Sequence, residues 1–250
     1  MANSLSFAGE NLSTYGLVVT SHDLPIIQDA QTVRLQNKAY AWRSSLTPKA
    51  ISLGTTVTAV SRAALITAVD NINSFLDTRE DAELILDILS TRYWNARFES
   101  FHGGFISQVA WRGNLTFMAL DPLAFSTTLT SSVPLIDVNA DPDTLDDETP
   151  GGTANTNPVY TLTAGIAGAT VLTLENLTTG LALGWSGTIA NIGDELIIDV
   201  ANKLVTLEAT PSMATVTGRF PYLLPTANSI KATGWGTAGT LDIVYRARYL

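Results

Sequence analysis

Only one stretch of this chain repeats its apolar residues at helical spacing. Ser61 is a good N-cap, and Leu65, Ile66, Val69, Ile72 and Leu76 follow at the three- and four-residue intervals of one helix face. That spacing predicts an amphipathic helix over 62–77. Nearly everything else reads as strand. Tyr15–Thr20, Ala39–Arg43 and Ala50–Val57 precede the helix. Leu84, Leu86 and Ile88, the run from Phe98 to Phe105, and Trp111–Leu120 follow it. Asp121-Pro122 ends the last of these. Beyond residue 130 the pattern is all-β. Thr170–Leu174 alternates, Glu195–Val200 and Leu204–Leu207 flank the turn Ala201-Asn202-Lys203, and Thr240–Tyr249 makes a long last strand. The expected fold class is α+β, mainly β.

Two domains are expected, 1–130 and 131–250. Half of the 12 carboxylates in residues 126–250 fall in Asp137, Asp141, Asp143, Asp146, Asp147 and Glu148, and a Thr, Pro, Gly and Asn-rich run follows them. This predicts an exposed acidic connector over 137–158. Chain termini often lie close together, so 240–250 could return to the first domain.

The balance of 14 Lys+Arg against 23 Asp+Glu gives a net charge of −9 and makes nucleic-acid readout a poor reading, since phosphate affinity comes from cations. Arg79, Arg92, Arg97 and Arg112 form no consecutive basic patch. Hydrophobic residues at 46% against 15% charged exclude a disordered chain. There is no Cys, hence no thiolate nucleophile and no Cys-ligated zinc. Residues 1–7 lack a basic segment followed by an apolar run, so no targeting segment is expected, and no stretch is apolar enough for a membrane helix.

Catalytic patterns are weak. Gly184-Trp185-Ser186-Gly187-Thr188 departs from a nucleophile elbow at its last position, and no phosphate-binding loop or zinc helix motif occurs. His22 and His102 sit in no motif. Asp141-Pro142-Asp143 offers calcium-type oxygens but lacks the turn Gly and the closing Glu of a calcium loop, so the run reads as solvated. Trp185 and Trp235 are the aromatic candidates for sugar stacking. Trp185 is read as core. Trp235, between glycines in Thr233-Gly234-Trp235-Gly236-Thr237, is read as a carbohydrate or interface contact at a loop tip.

Several segments, taken in order, resemble the siphophage distal tail protein family. They are Phe7–Gly16; Thr78-Arg79-Glu80, Asp87, Arg92-Tyr93-Trp94 and Ala96-Arg97; and Phe117–Phe125. In the second half they are Trp185-Ser186-Gly187, Gly193–Asp199, Gly218–Pro225 with Asn228, and Tyr245–Leu250. Pro225-Thr226-Ala227 departs from the Pro-Gly that is common there. The resemblance spans nearly the whole chain. It implies a ring-forming first domain and a second domain with a galectin-like or carbohydrate-binding-module-like sandwich. It further implies a homohexameric ring at the distal tip of a long non-contractile phage tail, made in the host cytoplasm. The implied partners are the tail tube protein, the tail-tip hub or tail-associated protein, and receptor-binding proteins, with DNA passing through the lumen unbound. No catalytic residue, cofactor, metal or membrane is implied. The alternative reading is a carbohydrate-binding β-sandwich adhesion module.

Overall fold

The structure is a computed structural model of the chain, and it describes residues 4–23, 32–35, 38–41, 48–77, 80–132, 143–165, 167–168, 171–234 and 239–250. Two compact units divide it: residues 1–127 together with Leu250, and residues 128–249.

The first unit is built on one antiparallel sheet. Its strands run in the order Glu10–Asn11, Leu5–Phe7, Asp81–Leu86, Arg92–Phe105, Ala110–Ala119, Lys49–Thr58 and Leu17–Asp23. The short Ala124–Ser126 strand pairs along Arg92 and Tyr93. A separate hairpin joins Thr32–Leu35 to Lys38–Ala41. Ser61 caps the helix Arg62–Leu76 by accepting from the Ala64 N–H, which satisfies one of the amides that a helix start leaves open. Leu65, Ile72 and Leu76 are fully buried. In the same core Phe7 meets Phe75 edge-on at 6.4 Å and Phe117 at 5.1 Å, and Phe98 packs on Phe117 at 6.0 Å.

Two expectations for this half are corrected. Ile66 is exposed and Val69 only half-buried, because at 100° per residue the buried stripe centres on Leu65, Ile72 and Leu76, and Ile66 stands a quarter-turn away. Ile88 belongs to no strand. The strand stops at Leu86, and Asp87–Leu89 forms a 3-10 turn that leaves Ile88 in solvent. Of the expected strand Ala39–Arg43, Ala39–Ala41 lies in the strand Lys38–Ala41, and Trp42 and Arg43 lie outside the described residues.

The second unit is a sandwich of two antiparallel sheets. One orders Thr130–Ser132, Thr240–Tyr245, Val159–Thr163, Glu195–Asp199, Leu204–Leu207 and Thr210–Pro211. The other orders Asp143–Glu148, Asn228–Thr233, Val171–Asn176, Leu181–Ser186 and Val216–Gly218. Alternate side chains of both sheets meet in one core: Tyr160, Leu162, Leu196, Ile198 and Ile243 from the first, and Leu172, Leu174, Leu183, Trp185 and Ile230 from the second. The chain therefore has a mainly β fold with a single α-helix among the described residues.

The acidic connector is corrected here. Asp143–Glu148 is a strand paired with Asn228–Thr233, with an irregularity between Leu145 and Glu148, and Glu148 is buried. Residues 133–142, including Asp137 and Asp141, lie outside the described residues. The last strand is also shorter than its sequence pattern suggests. It runs Thr240–Tyr245, breaks at Arg246-Ala247, and resumes as Arg248–Tyr249. Thr240–Tyr245 stays inside the second unit, between Val159–Thr163 and Thr130–Ser132.

Candidate functional site

In the second domain most buried polar groups are paired with one another, and Thr156 Oγ1 is the buried exception. Asn228 is almost fully buried, and its amide nitrogen donates to the carbonyls of Glu148 (3.0 Å), Leu224 (3.0 Å) and Thr226 (2.7 Å). Its Oδ1 accepts from the Leu224 N–H at 2.8 Å and from Asn176 Nδ2 at 3.1 Å. Asn176 also donates to the Tyr222 carbonyl at 2.8 Å, and the Tyr160 hydroxyl donates to that of Pro221 at 3.1 Å. Thr156 and Leu223 exchange both backbone bonds. Every turn of the segment from Pro221 to Thr226 is thereby fixed by a side chain or a bridge, the usual condition for burying irregular backbone. Gly218 opens this segment with φ +85° against the Ala182 carbonyl, which leaves no room for a Cβ. The motif Gly218–Pro225 with Asn228 is thus a structural lock.

Glu148 and Tyr245 form a second closed pair. The Tyr245 hydroxyl donates to Glu148 Oε1. Burial first, and Glu148 second, push both Tyr160 and Tyr245 well above the ordinary tyrosine value. A tyrosine held this firmly protonated is a hydrogen-bond donor, not a base.

Trp185 is buried, and its indole N–H donates to Ser212 Oγ at 2.9 Å, so its ring faces core and not solvent. Ser212 is at the wall of an open cleft of about 420 Å³, lined also by Asn191, Asp194, Leu207, Glu208 and Pro211. Its carboxylates are engaged: Asp194 Oδ2 accepts from the Ala190 and Asn191 N–H groups, and Glu208 Oε1 from the Glu195 N–H. Its lining carries no aromatic ring to stack on a sugar. Trp235 itself lies outside the described residues.

The histidines do not converge. His22 lines a shallow hollow with Ser4, Val19, Leu86, Asp87 and Ile88. His102 is exposed on the long Arg92–Phe105 strand, opposite Asn114. Among the described residues no group of three His, Cys, Asp or Glu is placed to hold a metal ion. No helix among them is long and apolar enough to cross a membrane.

Unpaired apolar surface lies instead at the tip of the first domain's long hairpin. Phe105, Ile106 and Val109 are exposed, and Val60, at the start of the helix, is 96% exposed. The Ala59 N–H donates to the Val109 carbonyl at 3.0 Å, which sets Val60 beside Val109. The Arg62 guanidinium stacks 3.4 Å above the Phe105 ring, a cation–π contact that ties the tip to the helix. The arm is stiffened below by Trp111, which lies 4.2 Å from the Phe101 ring and covers Gly103 and Gly113, where any Cβ would strike it. The helical spacing marked this helix, but the sequence held no sign that its start and the hairpin tip would share one apolar surface.

The chain is thus mainly β in two domains, with a cluster of exposed apolar residues at the hairpin tip. Residues 151–249 match the family model described as the siphovirus-type tail component, C-terminal domain. The chain is similar over its whole length to the crystal structure of the Dit protein of phage SPP1, described as a paradigm of the hub adsorption apparatus in phages infecting Gram-positive hosts. Identity is 14%, coverage is 100% of both chains, and the TM-score is 0.79, so the distal-tail-protein fold is shared end to end. It is also similar to a chain of the phage P2 baseplate in its activated, calcium-bound conformation, at 9% identity, 100% coverage of both chains and a TM-score of 0.50. No curated protein sequence matches it.

Proposed function

We propose that the chain is the distal tail protein of a long non-contractile phage tail, assembled as a six-membered ring that joins the tail tube to the tail-tip hub and its host-recognition proteins. The observation that carries this reading is the end-to-end likeness to the SPP1 hub protein, combined with the family match of the second domain. The first domain forms the ring and the galectin-like second domain stands at its periphery. A ring needs a heterologous interface that closes by rotation, and the apolar hairpin tip supplies surface of the required kind. The role is structural and not enzymatic. An excess of carboxylates suits a lumen that lets DNA pass without holding its phosphates.

Electron microscopy of the full chain, alone and co-assembled with its tail tube and hub partners, tests the reading. Closed rings in the co-assembled sample are expected. Their absence there overturns it, and a strict monomer with glycan affinity would favour the adhesion module instead.

A further inference from the structure

The first domain is polarised along its longest strand. At the Phe105 end, residues 52–69 and 100–116 contain no Asp or Glu, in a chain that holds 23 of them. Arg62 stands there beside Val60, Phe105, Ile106 and Val109. It meets the Phe105 ring and the Ser107 carbonyl, and no carboxylate pairs with it among the described residues. At the Arg92 end the composition reverses. Glu80, Asp81, Glu83 and Asp87 fall within eight residues. Asp81 is taken by Arg97 at 3.1 Å, but Glu83 and Asp87 are exposed with no cation paired to them among the described residues, and Ile88 beside them is 54% exposed.

The register fixes how far apart these surfaces are. Phe105 pairs with Trp111 at one end of the strand, and Tyr93 pairs with Ile85, two residues before Asp87, near the other. At about 3.3 Å per residue the two ends are roughly 40 Å apart. One molecule cannot bring them together, but neighbouring molecules can.

We propose that these two ends pair between adjacent copies of the chain. The apolar tip with Arg62 of one copy seats on Ile88, Asp87 and Glu83 of the next. This rests on the ring reading above and names the surfaces that close the ring. The occupant is a second copy because the chain itself carries the complementary surface, with opposite charge and matching exposed apolar residues. Two different patches meeting head to tail make the heterologous contact from which rings close. The charges fix partner and register, and the apolar residues supply the buried area.

Because each copy carries both ends, charge reversal gives a sharp test. Arg62→Glu alone sets like charges against each other at every contact, as does Asp87→Arg alone. Each should weaken ring assembly about ten-fold or more, read by sedimentation and electron microscopy of the full chain with its tail partners. Arg62→Glu with Asp87→Arg in one chain restores opposite charges and should recover the ring. Arg62→Gln, which removes the charge without reversing it, should fall between. Unchanged melting midpoints confirm that each variant folds.

Rings from both single variants equal to wild type would overturn the pairing and leave the ring reading standing. Loss in the single variants without recovery in the double variant would also overturn it. So would loss of a different tail protein from intact rings, which would make the tip that protein's dock. Failure of the wild-type chain to form rings with its partners would overturn both readings.

Discussion

The phenolic hydroxyl of Tyr245 donates to Oε1 of Glu148 at 2.5 Å, inside the second domain, where both side chains are buried. Burial is the main force that holds the Tyr245 proton, the hydrogen bond and charge of Glu148 add to it, and a hydrogen bond with Thr130 opposes them more weakly. Tyr160 is held in the same direction by burial and then by Glu148. The pair ties the strand Asp143–Glu148 in one sheet to Thr240–Tyr245 in the other.

This gives a pH dependence with a definite sign. Both tyrosines keep their protons in the fold above the ordinary value of 10.0, whereas the unfolded chain releases them there. Above about pH 10 the unfolded state binds fewer protons, so stability is full below that pH and falls as pH rises. Urea unfolding midpoints from pH 7 to 11 should be flat and then decline. Tyr245→Phe should reduce that decline by up to about one proton per molecule, and at pH 7 should lower stability by about 1–3 kcal/mol, because Glu148 loses its donor. An undiminished alkaline decline in the variant would show that Tyr245 does not cause it.

Asn228 is expected to be the most sensitive polar position of the same domain. Its side chain makes contacts with Asn176, Glu148, Leu224 and Thr226 that no apolar residue reproduces. Asn228→Leu should cost about 2–4 kcal/mol, since it leaves several buried backbone groups without partners. Asn228→Asp, which keeps the acceptor and removes the donors, should be nearly as damaging. Denaturant midpoints of the two variants measure this, and a shift within about 0.5 kcal/mol for either would show that the Pro221–Thr226 segment is held by other means.

The helix separates folding from assembly. Leu65→Ala and Ile72→Ala remove fully buried side chains and should each destabilise by about 2–5 kcal/mol. Ile66→Ala alters an exposed residue on the helix that starts at the hairpin tip, so its melting midpoint should hardly move, while ring assembly weakens. Equal loss of stability at all three positions would show that the helix is buried all round.

What the sequence disclosed follows from the range of each interaction. Spacing along the chain located the helix, its Ser61 cap and about half of the strands, because capping and periodicity act over a few residues. Trp185 was legible as core because a β-sandwich often packs a Trp inside, although its strand Leu181–Ser186 was not read from the sequence. Glu148 was misread, since an acidic run looks solvated until its long-range partner Tyr245 is known. Ile88 misled in the opposite way, because an apolar residue that continues an alternation looks buried even where a 3-10 turn carries it into solvent. The charge polarity of the first domain was equally hidden. The acid-free segments 52–69 and 100–116 are distant in sequence and become one surface only through the pairing of Ser52–Thr58 with Ala110–Thr116.

The remaining question is whether the second domain holds sugar, and the decisive residue is Trp235. A working sugar site needs a stacking ring and several converging polar groups. The open cleft by Ser212 supplies carboxylates that are already engaged and no ring. Trp235 supplies a ring, but its neighbours in sequence are Lys231, Thr233 and Thr237, with no Arg or His among residues 220–245. Packing against a neighbouring loop or subunit is therefore the expected role of Trp235. Calorimetric titration of the full chain with host-envelope glycans should show no binding tighter than about 1 mM, which corresponds to roughly −4.1 kcal/mol. Trp235→Ala should leave that result unchanged and weaken assembly instead. Tighter binding that vanishes in Trp235→Ala would make the second domain an adhesion module, with the ring serving to present its copies together to the host surface.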